Sequence, residues 1–187
     1  MAREVRGPGA AGWNGPRRHV ILVGLPGSGK TTVGRLVAAE LRAPFVDVDE
    51  EVERRSGKSV ARIFAEDGEA AFRALEAELG AAALAGAAAV IAPGAGFVAG
   101  EVTRATARGS GLVVYLQTDP AEAATRLGGA AGRPLLEGGD VASRVTALLA
   151  RRAALYAEAD CAVPTTGLAA AEVAAAVVSL ARTRAGW

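Results

Sequence analysis

HVILVGLPGSGKTTVGRLVAAELR, residues 19–42, decides how the chain is read. HVILVG (19–24) is rich in Val, Ile and Leu without alternation, the pattern of a strand buried on both faces. TTVGRLVAAELR (31–42) carries apolar residues at helical spacing. Between them, GLPGSGKT (24–31) matches G-x-x-x-x-G-K-[ST], directly after a strand and directly before a helix. In that setting glycines let backbone N–H groups converge on phosphate oxygens, and the helix N-terminus adds a positive dipole end. Gly27, Ser28, Gly29, Lys30, Thr31 and Thr32 are therefore the expected nucleotide contacts. Lys30 is expected to reach the β- and γ-phosphates and the Thr31 hydroxyl to coordinate Mg²⁺. A glycine-rich turn that merely contains a lysine is the alternative. It is disfavoured because only two of the 21 basic residues are lysines, Lys30 and Lys58.

Outward from this loop, short β-type runs alternate with longer helical ones. Strands are expected at 44–49 (PFVDVD), 88–92, 111–117 and, weakly, 160–164. Helices are expected near 50–57, 59–67, 69–86, 101–108, 120–127, 141–159 and 169–184. Strands separated by helices imply right-handed crossovers and an α/β fold, a five-stranded parallel sheet covered on both faces, with ligands at the carboxyl ends of the strands. GGAAGRPLLEGG (128–139) is too glycine-rich for a helix and reads as a surface loop. VIAPGAGFV (90–98) ends an apolar run in a glycine turn that is either a ligand loop or a plain connection.

At 187 residues the chain suits one domain, able to bury about 70% of its unfolded surface. A net charge of +1 offers no electrostatic case for nucleic acid or an anionic membrane. No apolar run is long enough to span a bilayer, and the single cysteine, Cys161, fits a reducing cytoplasm. Residues 1–17 are expected to be a flexible leader and 18–187 the domain, as a monomer. His19 and Cys161 read as structural, and Lys58 as solvated surface.

Asp47 and Asp49 close PFVDVD two residues apart. On a strand they would point to one side, where one acid holds Mg²⁺ and the other takes a proton from an attacking hydroxyl. Two acids capping the next helix is the alternative. Arg73, Arg133 and Arg152 lie on a helix, in the glycine-rich loop and on a late helix. A lone arginine is usually solvated, but three together suit an anionic acceptor, because guanidinium matches carboxylate and phosphate in a fork.

The chain resembles the shikimate kinases, P-loop kinases of the nucleoside-monophosphate-kinase-like kind. The resemblance rests on GLPGSGKT (24–31), DVDEEVERRSGKSVARIFAEDGEAAFRALE (47–76), RPLL (133–136) and RRAALY (151–156), in matching order and spacing. It implies a three-layer P-loop fold with a lid near 128–140, ATP and Mg²⁺ as cofactors, and phosphorylation of shikimate, a small-molecule acceptor of the aromatic amino acid pathway. Asp47 is then similar to the acid that orders Mg²⁺ with Thr31, and Asp49 to the base that contacts the acceptor. Arg73 and Arg152 resemble the pair that grips the acceptor carboxylate, in a pocket shaped by Phe64, Phe72 and Glu76. Arg133 resembles the lid arginine that joins Lys30 and Asp49 in catalysis. Arg126 is placed like the arginine that packs on adenine, beside a loop at 164–168. One departure stands out: the family's Gly-Gly-Gly run is Gly94-Ala95-Gly96 here, followed by Phe97. These residues are expected to touch the acceptor, and the Ala95 methyl keeps two alternatives open. One is another polyhydroxy acid such as gluconate as acceptor, and the other is a non-catalytic nucleotide-binding module.

Overall fold

A computed structural model of the chain describes residues 15–94, 101–128 and 140–187, without the side chains of 101–103. Residues 1–14 of the expected leader, Ala95, Gly96 and Phe97, and residues 129–139 with Arg133 lie outside the described residues.

The elements follow as β1 (His19–Val23), α1 (Lys30–Leu41), β2 (Phe45–Asp47), α2 (Val48–Ser56), α3 (Val60–Glu66), α4 (Gly68–Ala85) and β3 (Val90–Ala92). After them come α5 (Glu101–Ser110), β4 (Gly111–Gln117), α6 (Pro120–Leu127), α7 (Val141–Tyr156), β5 (Cys161–Pro164) and α8 (Ala170–Arg184). All five strands are parallel in the order β2-β3-β1-β4-β5, so the strand that feeds the phosphate loop is the middle one.

Alternation along that strand divides the core. Ile21 and Val23 join one apolar cluster with Ile91 and Val113, covered by α2, α3, α4 and α7. Val20 and Leu22 join the other with Val90, Leu112 and Val114, covered by α1 and α8. With both faces covered, an unbroken apolar run is what the strand requires. His19, also buried, accepts from Ala89 N–H at Nδ1 (3.2 Å) and faces the Leu84 carbonyl through Nε2 (3.2 Å), which ties the end of α4 to β1. The structural reading of His19 therefore stands.

Three expectations change. The strand expected over 44–49 ends at Asp47, because the Asp47 side chain accepts from the amides of Asp49 (3.1 Å) and Glu50 (3.4 Å) and starts α2 at once. Asp47 and Asp49 are thus brought together by a helix cap and not by strand alternation. Lys58 is not simply solvated: its ammonium bridges Glu66 (3.2 Å) and Asp67 (2.6 Å) at the end of α3. Cys161 is half-buried, and burial pushes its thiol up to about 11, leaving it an unreactive packing residue. Among the described residues no helix is long and apolar enough to cross a membrane.

Candidate active site

The phosphate loop runs from the end of β1 into α1. Gly27 and Gly29 have φ of +80° and +92°, values that place their N–H groups where residues with side chains are strained. Gly27 also abuts α6: a Cβ there would lie 2.3 Å from the Ala123 carbonyl. Ser28 is buried with its hydroxyl unpartnered. The Lys30 ammonium donates to the loop's own carbonyls, Gly24 (3.1 Å) and Leu25 (3.0 Å), so its position is set before any phosphate arrives. Thr31 and Thr32 open the exposed side of α1.

One carboxylate joins this loop to the next element. Asp47 accepts the Thr31 hydroxyl at Oδ2 (2.6 Å), while its Oδ1 caps α2 and so places Asp49 in that helix's first turn. Asp49 has one oxygen enclosed and without a hydrogen-bond partner among the described residues. Burial, followed by the nearby charges of Glu76 and Asp47, pushes its carboxyl from 3.8 up to about 6, against the pull of Lys30 and Arg73. Gly94 packs on this pair of acids. A Cβ at 94 would lie 2.3 Å from Glu76 Oε1 and 2.4 Å from Asp49 Oδ1.

Arg73 is held from three directions. Its guanidinium binds Glu76 (2.7 Å) and Glu69 (3.0 Å), and it lies over the Phe72 ring at 5.1 Å and the Phe64 ring at 6.0 Å. Those rings touch each other at 4.9 Å. The pocket residues expected from the sequence, Phe64, Phe72 and Glu76, therefore surround Arg73. Arg152 sits apart, on α7, and makes no ion pair among the described residues. It lies beside Tyr156, whose ring stacks on Tyr115 at 4.7 Å and whose buried hydroxyl has no well-formed hydrogen bond among the described residues. Burial raises that hydroxyl's pKa, and the Arg152 charge together with a loose hydrogen-bonding contact from its guanidinium draws it partly back.

At the far side of the phosphate loop, Arg126 on α6 donates to the Thr165 carbonyl (2.8 Å) and hydroxyl (3.3 Å) after β5, and pairs with Glu122. The Glu122 carboxylate also accepts the Gly167 N–H (3.0 Å). Thr118 and Thr165 share a buried hydroxyl contact of 2.6 Å, and Asp119 N–H donates to the Thr166 hydroxyl (2.8 Å). Sequence reasoning had Arg126 and the loop but missed Glu122, Thr118 and Tyr156. The four-residue spacing of Glu122 and Arg126 on one helix was a usable signal for the first.

Comparison with known proteins identifies the family. A model of the family described as shikimate kinase matches residues 26–182. A shikimate kinase of Thermobifida fusca is 50% identical over 140 residues, 75% of this chain and 80% of that protein. One of Mycobacterium tuberculosis is 47% identical over 136 residues, 73% of this chain and 77% of that protein. The structure of a shikimate kinase from Acinetobacter baumannii in complex with shikimate superposes with a TM-score of 0.84 at 34% identity, covering 88% of this chain and 92% of that one. A gluconokinase from Sinorhizobium meliloti, 17% identical with a TM-score of 0.55, shares the fold alone. The five-stranded P-loop architecture, the matched span and relatives near half identity lead to one conclusion: the chain belongs to the shikimate kinase family.

Proposed function

We propose that this protein transfers the terminal phosphoryl group of ATP to a ring hydroxyl of shikimate, giving shikimate 3-phosphate and ADP. The observation that carries this reading is Asp49, a carboxyl whose charge feels both Lys30 of the phosphate loop and Arg73 of the acceptor pocket. A base in that position takes the proton of the attacking hydroxyl while the new O–P bond forms and the β–γ bridge of ATP breaks. Its pKa of about 6 places that proton transfer near neutral pH.

Arg73 and Arg152 grip the acceptor's carboxylate, and their fork geometry favours a hydroxy acid over an uncharged sugar. Gly94, Ala95 and Gly96 complete the acceptor side. Gly27 to Thr32 cradle the phosphates, and Lys30 neutralises charge on the transferred group. Arg133, carried by a lid over 128–140, closes on that group, and closure excludes the water that would waste ATP. Arg126 packs on the adenine.

Thr31 and Asp47 would hold Mg²⁺. The hydroxyl and carboxylate oxygens lie 2.6 Å apart, and no group of three or more His, Cys, Asp or Glu that could hold a metal occurs among the described residues. A sparse donor set of this kind suits Mg²⁺, which keeps its waters and shares the nucleotide's phosphates. When bound, the ion neutralises charge between the β- and γ-phosphates. The test is ADP release measured with shikimate, gluconate or no acceptor. Shikimate-dependent turnover is expected, and a folded, ATP-binding preparation that shikimate fails to stimulate would end the proposal.

A further inference from the structure

We infer that Glu122 is a positioning residue for the nucleobase end of the site. The inference rests on the reading of Arg126 as the residue that packs on adenine. Glu122 lies in the first turn of α6, a turn fixed by Pro120 at its start and by the Asp119 side chain accepting from Ala121 N–H (2.8 Å) and Glu122 N–H (3.3 Å). Its carboxylate binds the Arg126 guanidinium one helical turn later. The same carboxylate accepts the Gly167 N–H through both oxygens, at 3.2 and 3.0 Å, from 45 residues away in sequence. Gly167 has a φ of +72°, a conformation that other residues rarely hold, so this loop has a shape worth fixing.

Arg126 then closes a ring. It reaches from Glu122 to the carbonyl and hydroxyl of Thr165, and Thr165 is tied in turn to Thr118. Glu122 thus binds both Arg126 and Gly167. Its bonds and those of Thr165 occupy the edge of the guanidinium, which leaves the flat face for stacking. Without the carboxylate, the arginine and the loop order separately when a base binds, and that ordering weakens affinity. A purely structural Glu122 would lower the melting temperature without distinguishing ligands that have a base from ligands that lack one.

The experiment measures Kd for ADP and for inorganic pyrophosphate by calorimetry on the full chain, with wild type, Glu122→Ala, Glu122→Gln and Arg126→Ala. Pyrophosphate probes the phosphate loop alone. Glu122→Ala should raise Kd for ADP roughly five- to tenfold, the size of one charge-assisted hydrogen bond. Its Kd for pyrophosphate should stay within about twofold. Glu122→Gln should weaken ADP less, because its amide oxygen still accepts from Gly167. In turnover, KM for ATP should rise while kcat at saturating ATP is kept. If Glu122→Ala does not fold, Glu122→Gln carries the test in the same direction. Unchanged ADP affinity in the Glu122 variants beside a weakened Arg126→Ala overturns the inference alone. Unchanged ADP affinity in Arg126→Ala overturns the adenine reading as well. Equal losses for ADP and pyrophosphate also overturn the inference, since they mean a general disturbance of the site.

Discussion

The two ends of the site are built differently. At the phosphate-loop end polar groups already have partners: Lys30 rests on the carbonyls of Gly24 and Leu25, Arg126 on Glu122 and Thr165, and among the described residues there only the Ser28 hydroxyl is enclosed without one. At the end proposed for the acceptor, Asp49 and Tyr156 each bury an oxygen that has no well-formed hydrogen bond among the described residues. Buried polar groups are nearly always paired, so these two, beside the arginines proposed to grip the acceptor, fit the proposal of a ligand bound there. One end is preassembled, and the other carries a cost that binding relieves.

Variants should break or sharpen this contrast. Lys30→Ala has the largest expected effect, a loss of roughly 10³ in kcat, with a loss of about 1 kcal/mol in stability, since its ammonium bonds the part-buried carbonyls of Gly24 and Leu25. Asp49→Asn should cost roughly 10²- to 10³-fold in kcat, yet make the protein more stable. The folded pKa of about 6 lies above the ordinary 3.8, so the stability Asp49 contributes is complete below pH 3.8 and is lost as pH rises through about 6. At neutral pH the asparagine variant should therefore gain about 1–2 kcal/mol after solvent screening, and the gain should vanish below about pH 4 in melts run across that window. A variant that is inactive and also less stable would contradict the strained acceptor end.

Arg73→Lys keeps the charge but loses the fork and its fit over Phe72. KM for the acceptor should rise about tenfold at constant KM for ATP in steady-state kinetics. Tyr156→Phe has the smallest expected effect. Removing an unpaired buried hydroxyl should raise stability by about 1 kcal/mol and change acceptor KM by no more than about threefold. A loss of stability in denaturant titration would show that the hydroxyl is satisfied after all.

Much of this was legible in the sequence where local chemistry repeats itself. The strand 111–117 and the helix 120–127 match their expected bounds, because Asp119-Pro120 supplies a side-chain cap and a proline at the first helical position. The phosphate loop was legible for the same reason: its strand, turn and helix are contiguous. The boundary after Asp47 was misplaced because DVD reads equally as strand or as cap, and only the hydrogen bonds to Asp49 and Glu50 decide it. Contacts between distant segments were illegible in principle. Glu122 meets Gly167 across 45 residues, and Gly94 meets Asp49 and Glu76 from a third element, with no pattern of spacing to announce either.

Gly94 also bears on how the chain can change over time. Any side chain there would press on Glu76 at 2.3 Å and on Asp49 at 2.4 Å, two acids already held by burial and by Arg73. Substitution at 94 would therefore be filtered by lost turnover before any loss of folding, and a library randomised there should return glycine alone under selection for activity. The next position carries a methyl group in this chain, Ala95. Position 94 is closed to drift by the acids that it packs against.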